Sequence, residues 1–272
     1  MKLSSAAIGG LAMILAATFV RPAPAAWEAG GKAGYESNVD RRIGGGRGDG
    51  WLGGYAAFLR EPSGESRLDW SLSAVAEGAA FARFDELDFV SVTVKPGAVV
   101  FPYRALTLVL SPFAQAKAVR DGDQTALAFG GSVVLREPVS RSVYLGQYYV
   151  YTDSRARVDT YSFQDHAVGG FVGISGKAGA FCELGYEYGR GDSFRTLETG
   201  TAAGFGMRRR FSSAFGIDVV RETVDRNAVS LAAGIDLTAK AFLRAEYTFT
   251  ATDGALGSAT SHAAFVGAGR RF

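Results

Sequence analysis

The chain has 272 residues, with 29 Lys+Arg against 27 Asp+Glu, 36 Gly, 7 Pro and a single Cys. Gly without matching Pro excludes collagen and Pro-rich linkers, and 12% aromatic residues exclude intrinsic disorder. One Cys and two His exclude a disulfide framework and leave no basis for a multi-ligand metal centre.

At the start, Lys2 precedes an apolar run from Ala6 to Val20, followed by Ala23-Pro24-Ala25. This pattern predicts a secretory signal over residues 1–25 and a mature domain over 26–272. The run is shorter than the ~20 residues that a membrane-spanning helix needs. Removing Lys2 and Arg21 balances acids and bases, so nothing argues for a nucleic-acid partner.

Beyond residue 26 the dominant signal is apolar/polar alternation with a period of two, which predicts strands with two unlike faces. Fourteen segments carry it: 27–38, 49–60, 67–83, 88–100, 106–118, 124–136, 141–152, 165–176, 179–189, 197–210, 213–222, 227–237, 241–250 and 261–272. In one of them Leu108 and Leu110 oppose Ser111, Gln115 and Lys117, and in another Leu184 and Tyr186 oppose Glu183 and Glu187. Leu231 and Ile235 likewise oppose Ser230 and Asp236. Short turns such as Glu61–Gly64 alternate with longer polar connections such as Val39–Gly48 and Asp153–Gln164. That asymmetry between rims, with segments longer than the usual 5–6 residues of soluble strands, predicts a membrane barrel over a soluble sandwich. Aromatics near segment ends (Trp27, Trp51, Phe101, Tyr103, Tyr148, Tyr151, Phe211 and Phe249) predict an interfacial belt. The expected fold is all-β: a single closed antiparallel transmembrane β-barrel of about 14 strands, with 12 as the alternative. Pro96 and Pro112 fall inside strands and conflict with a closed barrel unless a bulge accommodates them.

Parity assigns Glu28, Lys32, Glu36, Arg67, Asp69, Glu77, Arg83, Lys95, Lys117, Glu183, Glu187, Asp218, Asp236, Arg244 and Glu246 to the lumen. Small residues share that face at Gly97, Ser111, Gly185, Ala202, Gly204, Ser230 and Gly234, and predict an interior that is not filled. The loop from Asp153 to Gln164 is the longest connection identified and is expected to constrict the lumen.

The signal, the amphipathic strands and the ending Gly267-Ala268-Gly269-Arg270-Arg271-Phe272 resemble Gram-negative outer-membrane β-barrels. That resemblance implies surrounding lipid and lipopolysaccharide, and recognition of Phe272 by the barrel-assembly machinery. Arg270 departs from the pattern, which favours an aromatic or apolar residue there. The stretch Gly34-Tyr35-Glu36-Ser37-Asn38-Val39-Asp40-Arg41 resembles the opening of surface-lipoprotein assembly modifiers and related exporters, which implies an export partner in the periplasm.

Chemical motifs are sparse. Gly48–Gly53 matches G-x-G-x-x-G but begins a strand, where a nucleotide fingerprint needs a strand before it and a helix after it. Arg-Gly-Asp occurs at Arg47–Asp49 and Arg190–Asp192, both expected in loops. Asp165 and His166 are adjacent in one strand and so point to opposite faces, which prevents a dyad. No catalytic residue, cofactor or metal site is expected. Arg41, Arg42, Arg155, Arg157, Arg190 and Arg195 crowd the long connections and are candidates to meet lipopolysaccharide phosphates. The leading expectation is a pore or export channel for small solutes, polymer or lipoprotein. A closed structural barrel with partner-binding loops is the alternative, and an outer-membrane hydrolase the third.

Overall fold

The computed structural model of the protein describes residues 25–64, 66–103, 106–197 and 210–272. Nearly all of the expected signal, together with Ala202 and Gly204, lies outside the described residues. Thirteen strands follow in chain order: β1 (Ala26–Glu36), β2 (Asp49–Arg60), β3 (Leu68–Phe81), β4 (Phe89–Tyr103), β5 (Leu106–Val119), β6 (Ala126–Pro138), β7 (Val143–Ala156), β8 (Phe163–Ser175), β9 (Phe181–Leu197), β10 (Arg210–Ser212), β11 (Ile217–Asp236), β12 (Ala241–Gly254) and β13 (Gly257–Arg271). The named strands pair antiparallel, and β1 closes on β13 with Glu28 opposite Arg271. β9 passes over β10 to pair with β11, so twelve strands form the closed ring. The short β10 hangs on the other side of β11, at its upper end, through Arg210↔Val219. "Upper" here means the rim that carries the connections 37–48 and 213–216.

The alternative of twelve is therefore the ring count. Fourteen overshoots by two: the expected segments 213–222 and 227–237 belong to one 20-residue strand, β11, and most of the segment expected at 197–210 lies outside the described residues, its last residue Arg210 opening β10 beside the ring. Its ladder runs unbroken through Thr223↔Asp192 and Val224↔Gly254. The outward positions Arg221, Thr223 and Asp225 are polar there, so alternation lapses while hydrogen bonding continues.

The two prolines meet each other. Val94↔Ala114 and Ala98↔Leu110 flank an unpaired stretch of the β4–β5 ladder, and the constant register places Pro96 opposite Pro112. Both missing N–H donors thus fall on one shared rung. β4 still pairs with β3 at Leu72↔Pro96, and β5 with β6 at Pro112↔Gly131. The register shift in β4 lies lower, between Val100 and Tyr103.

Glycine shapes the inside. Each of eight inward rings lies directly across from a glycine in register: Trp51↔Gly34, Tyr55↔Gly30, Phe113↔Gly130, Phe171↔Gly146, Tyr148↔Gly169, Tyr144↔Gly173, Phe181↔Gly234 and Phe242↔Gly269. A Cβ on any of these glycines would collide with its ring. The absent side chain lets each ring lie along the wall instead of standing into the bore. Small inward residues therefore seat bulky ones as well as leaving space.

The outer face is the apolar one. Leu110, Leu184, Tyr186, Leu231 and Ile235 point outward and are exposed, with Leu108 on the same face. Trp27, Trp70, Tyr103 and Phe272 mark the lower rim, and Trp27 packs edge-on against Phe58 at 5.3 Å. Towards the upper rim, Tyr149 and Tyr151 flank His166, and Tyr247 and Phe249 flank His262. Both histidines accept or donate a 2.7 Å hydrogen bond with the tyrosine hydroxyl beside them. Trp51 and Tyr148 do not join this belt, because their parity turns them inward. Cys182 is exposed on the outer face.

Candidate functional site: the lumen and its capped mouth

Most lumen charges are held against the wall. Arg226 donates to Asp165 at 2.8 Å and to Glu187 at 3.0 Å, and Tyr148 donates to Glu187 at 2.9 Å. Tyr144 donates to Glu183 at 2.6 Å while Arg136 lies 3.8 Å over its ring. At the lower rim Arg271 bridges Glu28 and Asp236, each at 2.9 Å. Higher up, Arg195 meets Glu222 at 3.1 Å, and Lys32 meets Glu77 at 3.5 Å while facing the rings of Tyr55 and Phe265. Arg244 lies over Phe242 at 4.6 Å.

Of the expected lumen residues, Lys32, Asp69, Glu77, Lys95, Lys117, Glu183, Glu187, Asp236, Arg244 and Glu246 lie on inward strand positions, as do Glu28 and Glu36. Arg67 does not: β3 begins at Leu68, so Arg67 sits in the exposed turn below it. Arg83 is likewise displaced into the exposed connection after β3. Asp218 lies at the upper end of β11 beside Phe211 of β10, above the ring proper. The inward Arg136, Asp165, Arg226 and Arg271 are additions. Arg226 is hidden by the expected loop at 223–226, and Asp165 by attention to its neighbour His166, which indeed faces the opposite way. Arg271 is recoverable, since Phe265, Gly267, Gly269 and Arg271 share one parity.

Loops close the upper mouth. Val39, Phe84, Tyr161, Phe194, Phe215 and Val219, drawn from connections and strand ends around the ring, form one buried apolar cluster. Phe215 stacks on Phe194 at 5.7 Å, Tyr161 meets Phe194 edge-on at 5.3 Å, and Phe84 meets Phe215 at 6.2 Å. Burying each such side chain contributes about 1.5–3 kcal/mol. The 37–48 connection is drawn inward by Asn38, which donates to the Arg42 and Thr260 carbonyls and accepts from the Arg42 N–H. Arg41 reaches across to the Ser193 hydroxyl at 2.7 Å and lies 4.8 Å over the Phe194 ring. Burial lowers its pKa to about 10, so it remains a cation at neutral pH. Arg47 pairs with buried Asp40 at 2.8 Å and donates to the Phe215 carbonyl at 2.7 Å.

These contacts correct several expectations. Ser37–Arg41, five of the eight residues likened to exporter barrels, is cap rather than strand. Asp49 of the first Arg-Gly-Asp accepts the backbone N–H groups of Arg83 and Phe84, and Arg47 is tied to Asp40, so this triplet braces the cap. The second triplet, Arg190–Asp192, is strand β9, and Asp192 holds Arg221 at 2.6 Å. Arg195 is buried against Glu222. The connection expected from Asp153 to Gln164 shrinks to 157–162, because β7 and β8 run further than their alternation does.

Below the cap lies a cavity of about 120 Å³, roofed by Val39, Phe194 and Phe215. Its sides mix the rings of Trp51, Phe81, Phe89 and Phe265 with Lys32, Lys117, Glu77 and Glu246. Lys117 lies 3.8 Å over the Phe89 ring. Among the described residues, no group of three or more His, Cys, Asp or Glu side chains is placed to hold a metal ion.

No protein-family model and no curated protein matches the chain by sequence. Solved structures do match by shape. An outer membrane channel from Pseudomonas putida F1 aligns with a TM-score of 0.62 at 8% identity, covering 94% of this chain and 98% of that one. The KdgM porin in complex with disordered oligogalacturonate aligns with a TM-score of 0.51, also at 8% identity, covering 91% and 99%. At such identities the likeness concerns the fold, which is that of outer-membrane β-barrels.

Proposed function

We propose that the protein is a narrow diffusion channel of the Gram-negative outer membrane that admits small solutes, with the capped rim facing outside. The observation that carries this reading is the lumen itself: rings lie flat on glycine seats, charges are tied to the wall, and a polar-and-aromatic cavity remains between them. A filled structural barrel has no use for seats that clear its bore. The folded cap and the small cavity favour solutes over a polymer or lipoprotein. Exposed Arg155 and Arg190 near the upper rim suit contact with lipopolysaccharide phosphates, and Phe272 stands exposed at the lower rim for the assembly machinery to engage.

The packed cap also favours a second reading, a closed barrel whose loop surface meets a partner. Conductance separates the two. Refolded protein in a planar bilayer is expected to pass small-ion current, rising several-fold when the cap is loosened. Absence of current in both the native and the loosened-cap protein would remove the channel reading.

A further inference from the structure

Among the described residues, one inward cation has neither a carboxylate nor a ring for a partner. Lys95 projects into the lumen from the middle of β4 and is only 7% exposed. Among the described residues no carboxylate, ring or hydrogen-bond acceptor engages it, whereas Arg136, Arg226 and Arg271 are each held by a carboxylate or a ring. Directly opposite it on β3 is Ser73, whose hydroxyl is shut off from solvent and has no partner. Next along, the Ser71 and Ser111 hydroxyls converge over Gly97, where a Cβ would strike both. The inward carboxylates nearest along β3 are already engaged: Asp69 below by Ser63, and Glu77 above by Lys32. One ammonium and three hydroxyls thus share a patch of wall bare of negative charge.

A buried ammonium without a partner is costly, and so is a buried hydroxyl left unbonded. An oxyanion placed there satisfies both. We propose that Lys95, Ser71, Ser73 and Ser111 form a binding site for the carboxylate of a small organic acid in transit. The proposal rests on the channel reading and names its substrate class. One positive charge beside neutral donors matches a monoanion; a phosphate dianion would leave a buried charge uncompensated. Across from Lys95 on β5 the constant register places the inward Phe113 ring, which gives the acid's apolar body a surface to contact.

The test is calorimetric titration of the refolded full chain in detergent micelles with sodium benzoate, and separately with inorganic phosphate, against micelle blanks. Heat-dependent electrophoretic mobility reports whether each variant is folded. The native protein is expected to bind benzoate saturably and more tightly than phosphate. Lys95→Met is expected to weaken benzoate binding about tenfold or more, Lys95→Arg to hold it within about threefold, and Ser73→Ala to weaken it about threefold. If Lys95→Met fails to fold, Lys95→Gln takes its place, with the same weakening expected. Benzoate binding that is absent, or indifferent to Lys95, overturns the site. Phosphate binding tighter than benzoate overturns the carboxylate assignment. Bilayer current is scored independently: current without benzoate binding removes the site and leaves the channel, and benzoate binding without current removes the channel and leaves the site.

Discussion

Replacing Arg226 with methionine removes the guanidinium that lies 2.8 Å from Asp165 and 3.0 Å from Glu187. The three side chains are 19%, 9% and 9% exposed, so little solvent is available to take over the task. Breaking a buried ion pair from one side costs about 3–5 kcal/mol, because the partner is stranded. Here two carboxylates are stranded, but the bore admits some water and Tyr148 still donates to Glu187. We therefore expect about 3 kcal/mol, at the lower end of that range. With urea slopes of about 1–3 kcal/mol per molar, the unfolding midpoint in lipid vesicles should fall by roughly 1–3 M. Tryptophan fluorescence gives the readout. The triple variant Arg226→Met with Asp165→Asn and Glu187→Gln removes the stranded charge and should recover most of the loss. A single variant within 0.5 kcal/mol of native, or a triple variant no better than the single, would refute the account of lumen charges as mutually compensated.

Three further outcomes are expected. Asn38→Ala deletes three hydrogen bonds that hold the 37–48 connection in the mouth, and should raise single-channel conductance several-fold while leaving the barrel folded by circular dichroism. Gly146→Ala drives a methyl into the Phe171 ring and should cost about 1–3 kcal/mol, whereas Gly131→Ala, whose nearest neighbour is 3.9 Å away, should be close to neutral in the same urea titration. In the lower turn, burial first and then the neighbouring Glu28 push the Glu61 carboxyl from 4.5 up to about 7. The folded state therefore binds the extra proton, and native stability should fall relative to Glu61→Gln as pH rises from 4.5 to 7, with no further divergence above that window; equal curves at pH 5 and pH 8 would contradict it.

How far the residues themselves announced this structure depends on what a period of two can encode. Within the apolar band the inward and outward sides are fixed by solvent, so Glu183 against Leu184 or Lys117 against Ala116 reads without ambiguity. Above the band both faces are polar, and there the reading fails: β11 divides at Thr223–Arg226, and with it goes the inward Arg226. Long-range register is invisible for a different reason. Nothing near Gly146 in sequence says that Phe171 lies across from it, and nothing near Pro96 points to Pro112. The cap escapes entirely, because Val39, Phe84 and Tyr161 are single apolar residues between the expected segments, which look like noise until the ring brings them together, and Phe215 is absorbed into the expected segment 213–222. Parity places Lys95 in the lumen, but only the geometry separates it from the cations that have partners.

The paired glycines and rings bear on how such a bore changes over generations. Each seat is a two-residue property, so neither position drifts alone: enlarging the glycine drives its ring into the passage, and shrinking the ring leaves a groove. Lumen width is thus inherited in discrete cross-strand couples rather than residue by residue. Outer positions such as Leu184 or Val229 carry no such tether and are free to exchange among apolar types. A lineage of this chain would accordingly diverge quickly on its lipid face while its interior changed rarely, and by paired steps.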